Sequence, residues 1–207
     1  MKDLGKKLST SIDIIEKLCI EINSLELIIQ QKLFNMINNI KSDEKIRITS
    51  DWITSFRDSE SNWISTDTSG SLGLSPPRKK NPKRYLSYQI SLVGDAVETA
   101  DSQDAEPLVH INLWDSPINF DESMYSCVNW TSEDEDVLLE QGALFCWPAK
   151  TNYWHDKQWS YAIKLTQLND ETCIDNLITT PCQQLLLGED LTSTIIPKSE
   201  AIFRPIL

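Results

Sequence analysis

Two histidines stand in the chain, His110 and His155, alongside five cysteines at 19, 127, 146, 173 and 182. A histidine beside a thiol can make a nucleophilic cysteine, and Cys127 or Cys146 against either imidazole is the pairing to consider. His110 falls on the polar side of an alternating segment and His155 in the turn-like KTNYWHDKQW. The expectation is therefore surface histidines and buried, inert thiols, since a cysteine without a charged neighbourhood behaves as a small apolar residue. A zinc site would need both histidines to converge with cysteines or carboxylates, and no cysteine pair is spaced CxxC. The run Glu133, Asp134, Glu135 and Asp136 could attract a divalent cation, but a wrapping loop alternates carboxylates with turn residues and this run holds no Gly. Its expected role is the acidic first turn of a short helix, where the helix dipole favours it. Six glycines form neither GxGxxG nor a phosphate-binding loop. No catalytic residue, cofactor ligand or metal ligand is assigned, and a cryptic Cys/His or carboxylate enzyme is the less favoured reading.

Charge is distributed more tellingly. The net charge is −12, with 31 acids against 19 bases. Yet five of the seven residues 78–84 are basic: Arg78, Lys79, Lys80, Lys83 and Arg84. Between residues 85 and 149 there are 13 acids and no Lys or Arg. An acidic chain repels nucleic acid on average, so nucleic acid is a candidate partner only at the basic loop. The acidic stretch would steer a basic protein surface, with residues 133–136 and Trp154 as candidate contacts beside the basic loop.

The elements that must position these groups follow from periodicity. Residues 3–41 hold no Pro, and Ile15, Leu18, Ile22, Leu25 and Ile29 step by threes and fours. Leu8 and Met36 extend the series, and Lys32 breaks it. That is one apolar seam on a helix too long for a small domain, so these five residues are the expected assembly positions, for self-association or a partner. Ile14, Ile20, Leu27, Ile28 and Phe34 widen the stripe and predict a helix buried on two sides. After Ser42 the period changes. KIRITSDWITSFRD and SNWISTD fit strands, with a short helix from Ser50 left open, and 65–77 reads as a Ser/Gly/Pro loop. YLSYQISLV and LVHINLW alternate with period two, as half-buried antiparallel strands do, and ALFCW with WSYAIKL makes a second hairpin. NDETCIDNLITTPCQQLLLG predicts a helix in two pieces, capped by Asp170 or Asn169, broken at Pro181, restarted by a Thr180 cap and stopped at Gly188. The apolar tail AIFRPIL should dock on the rest.

The fold class is α+β: a long N-terminal helical arm, a mainly antiparallel sheet domain and a short C-terminal helix. The domain reading is an arm at 1–41 and a sheet domain at 42–207, with an exposed basic loop at 76–84 and an acidic one at 94–107. The odd cysteine count and the charged, uncleaved-looking N-terminus predict a reduced cytoplasmic protein with no membrane segment. The functional expectation is a non-enzymatic accessory, inhibitor or immunity-type module. It would assemble through its helix, as a homo-oligomer or with a protein partner, and offer an acidic, Trp-rich sheet to a basic surface. A regulator touching nucleic acid through the basic loop is the other alternative.

Overall fold

The computed structural model describes residues 2–40, 46–59, 64–92, 106–120, 137–147, 149, 151, 153–188 and 195–204. It is α+β, as the periodicities require. Helix α1 (Lys2–Asn39) is continuous, roughly 57 Å long at 1.5 Å per residue. Asn23 and Ser24 do not break it; the Ser24 hydroxyl donates to the Ile20 carbonyl 2.8 Å away.

Seven strands follow: β1 (Arg47–Asp58), β2 (Ser65–Ser75), β3 (Arg84–Ser91), β4 (Leu108–Trp114), β5 (Leu138–Glu140), β6 (Leu144–Trp147) and β7 (Gln158–Lys164). They form one sheet in the order β1-β2-β3-β4-β7-β6-β5, with every pairing antiparallel. Residues 47–58 are strand, which closes the alternative of a helix from Ser50.

Two expectations are corrected here. The stretch 65–75, read as loop from its Ser and Gly content, is a central strand. Its composition hides a period of two: Leu72 and Leu74 enter the core, while Ser69 and Ser71 take the other face. Gly70 is needed where it is, because a Cβ there would stand 2.6 Å from a ring carbon of Tyr88. The second correction concerns 138–140, expected as a short helix and found as edge strand β5. Leu139 pairs with Phe145 across a tight turn in which Gln141 and Gly142 have positive φ.

One face of the sheet, built from Leu72, Leu86, Tyr88, Ile111, Trp159 and Tyr161, carries the apolar core. The second half of α1 covers it, contributing Ile22, Ile29, Leu33, Met36 and Ile37, with Ile40 just past its end, so residues 22–40 pack into the core of the sheet domain. The C-terminal helix lies beside α1. Lys32, the residue that interrupts the apolar seam, reaches Asp175 at 2.8 Å and Glu171 at 3.1 Å on that helix. A cation at this seam position therefore joins the two helices.

That helix was expected in two capped pieces and instead runs unbroken: α2 (Glu171–Ile174), a π segment (Asp175–Thr179) and α3 (Thr180–Leu187). Asp170 caps its start, the carboxylate accepting from the Cys173 amide at 2.7 Å, and Gly188 ends it in the left-handed conformation. Thr180 is helical and caps nothing. Pro181 has no amide hydrogen to offer the carbonyl of Leu177, four residues back. The π segment widens the turn there, and the buried Tyr161 hydroxyl donates to the Leu177 oxygen at 2.9 Å. Residues 201–203 dock as expected, through an antiparallel bridge between Ile202 and Ile163.

If Tyr161 supplies the missing donor, Tyr161→Phe should lower unfolding stability by about 1–2 kcal/mol by orphaning a buried carbonyl. Urea titration would show this as a lower midpoint at unchanged slope. An unchanged midpoint would mean that the carbonyl is satisfied without the tyrosine.

Candidate functional site

The arm is the first candidate surface. Residues 4–21 of α1 are all exposed, over a length of roughly 27 Å. The five expected assembly residues divide along it. Ile29 and Ile22 are buried against the domain and Leu25 is half-buried, whereas Ile15 (37% exposed) and Leu18 (38%) stand free of it. Leu4, Leu8, Ile12 and Ile14 are more open still. Burial on two sides is not found among the described residues: Ile20, Leu27 and Phe34 on the outer face are exposed.

The basic loop is the second. Residues 76–83 connect β2 to β3, and Lys79, Lys80 and Lys83 are exposed, as expected. Arg78 adopts a positive φ of 71°. The structure adds two residues that spacing alone does not reveal, Arg47 and Lys157: Arg47 donates to the Lys79 carbonyl, and Arg84 donates to the Lys157 carbonyl at 3.1 Å. The loop is thus held at its base while its lysines point to water. At the opposite end of β4, Glu106 bonds Lys164 at 3.2 Å. The rest of the expected acidic loop at 94–107, and the candidate contacts Glu133, Asp134, Glu135 and Asp136, lie outside the described residues. Trp154 sits half-buried in a 3-10 turn, edge-on to His155 at 5.8 Å and packed against the core.

The third feature reverses an expectation. The strands were read as half-buried, yet the central strands β2, β3, β4 and β7 are closed to solvent on both faces. On the face opposite α1, Ser87, Gln89, Ser91, His110, Asn112 and Ser160 are each 1% exposed or less. Hydrogen bonds knit much of this layer. Ser91 and Gln89 donate to Asp67, which also pairs with Arg57 at 3.7 Å; Ser87 donates to Ser71 at 2.8 Å. The Ser71 and Ser55 hydroxyls accept the amides of Ile118 and Phe120, pinning that segment on the face. Among the described residues, Gln89 Oε1, His110 Nε2 and Asn112 Nδ2 have no partner.

His110, expected at the surface, is therefore a core residue. It lies between Gln89 on β3 and Ala162 on β7. Cys146 pairs with Trp159, on the opposite side of the sheet, so these two cannot meet. His155 stacks on Tyr153 at 5.4 Å. Burial raises the Cys146 and Cys182 thiols to about 12, away from the thiolate that a nucleophile requires. Cys127 lies outside the described residues, which contain no cluster of metal-ligating side chains. No described helix is long and apolar enough to cross a membrane. Comparison with protein families, curated proteins and solved structures returns no match to this chain.

Burial lowers the His110 pKa to about 4, below the ordinary histidine value of 6.5. The unfolded chain then binds this proton more tightly than the folded one. The associated stability is complete above pH 6.5 and is lost as pH falls towards 4. Between pH 7 and 4 the wild type should lose about 3 kcal/mol more stability than His110→Gln, from a shift of roughly 2.5 units. Parallel urea titrations at the two pH values would measure the difference, and equal losses would place the imidazole in contact with water.

Proposed function

We propose that this protein is a non-enzymatic protein–protein interaction module that assembles through the free half of α1. One observation carries the reading. The chain extends an unbroken helix past its own core and keeps exposed apolar residues along it, from Leu4 to Leu18. Side chains of this kind in a row are an interaction surface, because isolated exposed leucines are ordinary but a continuous stripe is not. The absence of a histidine–thiol contact among the described residues and the elevated thiol pKa values support a binding role over nucleophilic chemistry.

The acidic stretch between residues 85 and 149 is a second candidate surface, and among the described strands it places only Glu140 of its 13 acids. A basic protein surface is the partner suited to that stretch, in an accessory, inhibitor or immunity-type role in the cytoplasm.

The double change Ile15→Glu and Leu18→Glu places charge on the stripe without entering the core. It should leave the melting temperature within a degree or two of wild type, since neither residue is buried. It should also abolish whatever assembly the wild type shows in sedimentation velocity, alone or with proteins of its own host. Identical sedimentation of variant and wild type under both conditions would defeat the proposal.

A further inference from the structure

We infer that the occupant of the arm is a second copy of this chain, running antiparallel to the first about a two-fold axis at residue 13. The inference rests on the reading above that the arm is an interface, and it names the partner and its direction. Leu4, Leu8, Ser11, Ile15, Leu18 and Ile22 step by 4-3-4-3-4 residues, the spacing of a two-helix seam. Leu8, Ile15 and Ile22 then take one seam position, and Leu4, Ser11 and Leu18 the other. Antiparallel helices alternate these two positions across the seam. Centring the pair on residue 13 layers Leu8 on Leu18 and Ile15 on Ser11 of the second copy, and the open seam ends before Ile22, which is buried in its own domain.

The residues flanking the seam select this direction. Along one flank the order is Lys7, Ile14, Glu21: basic, apolar, acidic. Antiparallel helices bring this flank against itself, so each Lys7 meets Glu21 of the second copy, and Ile14 meets its own equivalent at the axis. On the other flank Ile12 meets Ile12. Ile12 (53% exposed) and Ile14 (60%) lie off the seam and would have no cover in a narrower contact. The same patch thus serves both copies, as a two-fold interface requires. A parallel pair does worse. It brings the Lys6 and Lys7 ends together, gives Glu21 no cation across the seam, and holds the domains of two chains of net charge −12 side by side. Antiparallel arms keep those domains at opposite ends. Ile20 lies outside the contact and this arrangement gives no account of it.

Two experiments test the arrangement on the full chain. In sedimentation equilibrium, wild type should be a dimer. Glu21→Lys should weaken it by roughly tenfold through two like-charged pairs, and adding Lys7→Glu should restore it. In a parallel dimer Lys7 and Glu21 stand in different layers, so adding Lys7→Glu would not restore what Glu21→Lys loses. The second experiment uses Cys19, an exposed thiol on the arm, and a short bismaleimide. Antiparallel copies hold their Cys19 residues roughly 18 Å apart along the axis, and place residue 5 beside Cys19 of the second copy. Gly5→Cys meets no steric obstacle. It should yield a covalent dimer that wild type does not. Efficient cross-linking of wild type, with no gain from Gly5→Cys, would overturn the antiparallel arrangement. A wild type monomeric across a concentration series that binds a different protein through the arm would overturn the inference and leave the interaction module standing. A monomer that binds nothing through the arm would remove both.

Discussion

The direction in which the arm leaves the domain depends on Tyr88. Its ring lies over Gly70 and tilts against Trp52 at 5.8 Å, and its hydroxyl emerges at α1. There it accepts from Gln30 at 2.7 Å and donates to Glu26 at 3.2 Å, while Thr68 donates to the same Glu26 oxygen. Apolar side chains such as Ile29 and Leu33 hold the helix on the sheet, but their contacts are non-directional and would tolerate a slide of one turn. The hydrogen bonds permit one register. Burial, followed by the Glu26 carboxylate, raises the tyrosine pKa, so the hydroxyl keeps its proton and stays a donor. With the register set at residues 26–30, Lys32 falls opposite Glu171 and Asp175, and the C-terminal helix takes its place beside α1.

What the sequence allowed one to read divides along physical lines. The arm, the pairings of β3 with β4 and of β6 with β7, and the helix ends at Asp170 and Gly188 were legible, because each has a local cause: a period, an alternation, a cap. Strand β2 was not. Serine and glycine signal loops when they lack neighbours, and here Ser69, Ser71 and Ser87 are used to fill a buried polar layer whose partners come from other strands. His110 was misplaced for the same reason, since an alternating strand shows which residues share a face but not whether that face is covered. The helix passes through Pro181 beside a tyrosine twenty residues earlier that bonds the Leu177 carbonyl, a partner no local pattern announces. The positions of the basic loop and of the arm follow from charge and spacing. Arg47 and Lys157, which brace that loop, are brought to it by the sheet.

The polar layer bears on how specifically the sheet is folded. A one-residue slip in β3 would exchange Ser87, Gln89 and Ser91 for Leu86, Tyr88 and Ile90 between faces. In an ordinary half-exposed sheet that exchange exposes apolar groups. Here it would also strip Asp67 of its Ser91 and Gln89 donors inside the protein, a larger penalty because a buried carboxylate depends on them. The layer therefore opposes misregister from both sides of the sheet.

The length of α1 has a mechanical consequence. A helix clamped along residues 22–40 and free over the preceding rod of roughly 27 Å is a lever with its fulcrum at the sheet. A tilt of about 5° at the fulcrum moves the tip by only roughly 2 Å, little more than the rise of one residue. Whatever grips the tip therefore feels torque at Tyr88 and Lys32, and a pull along the rod is delivered as shear across the helix–sheet boundary.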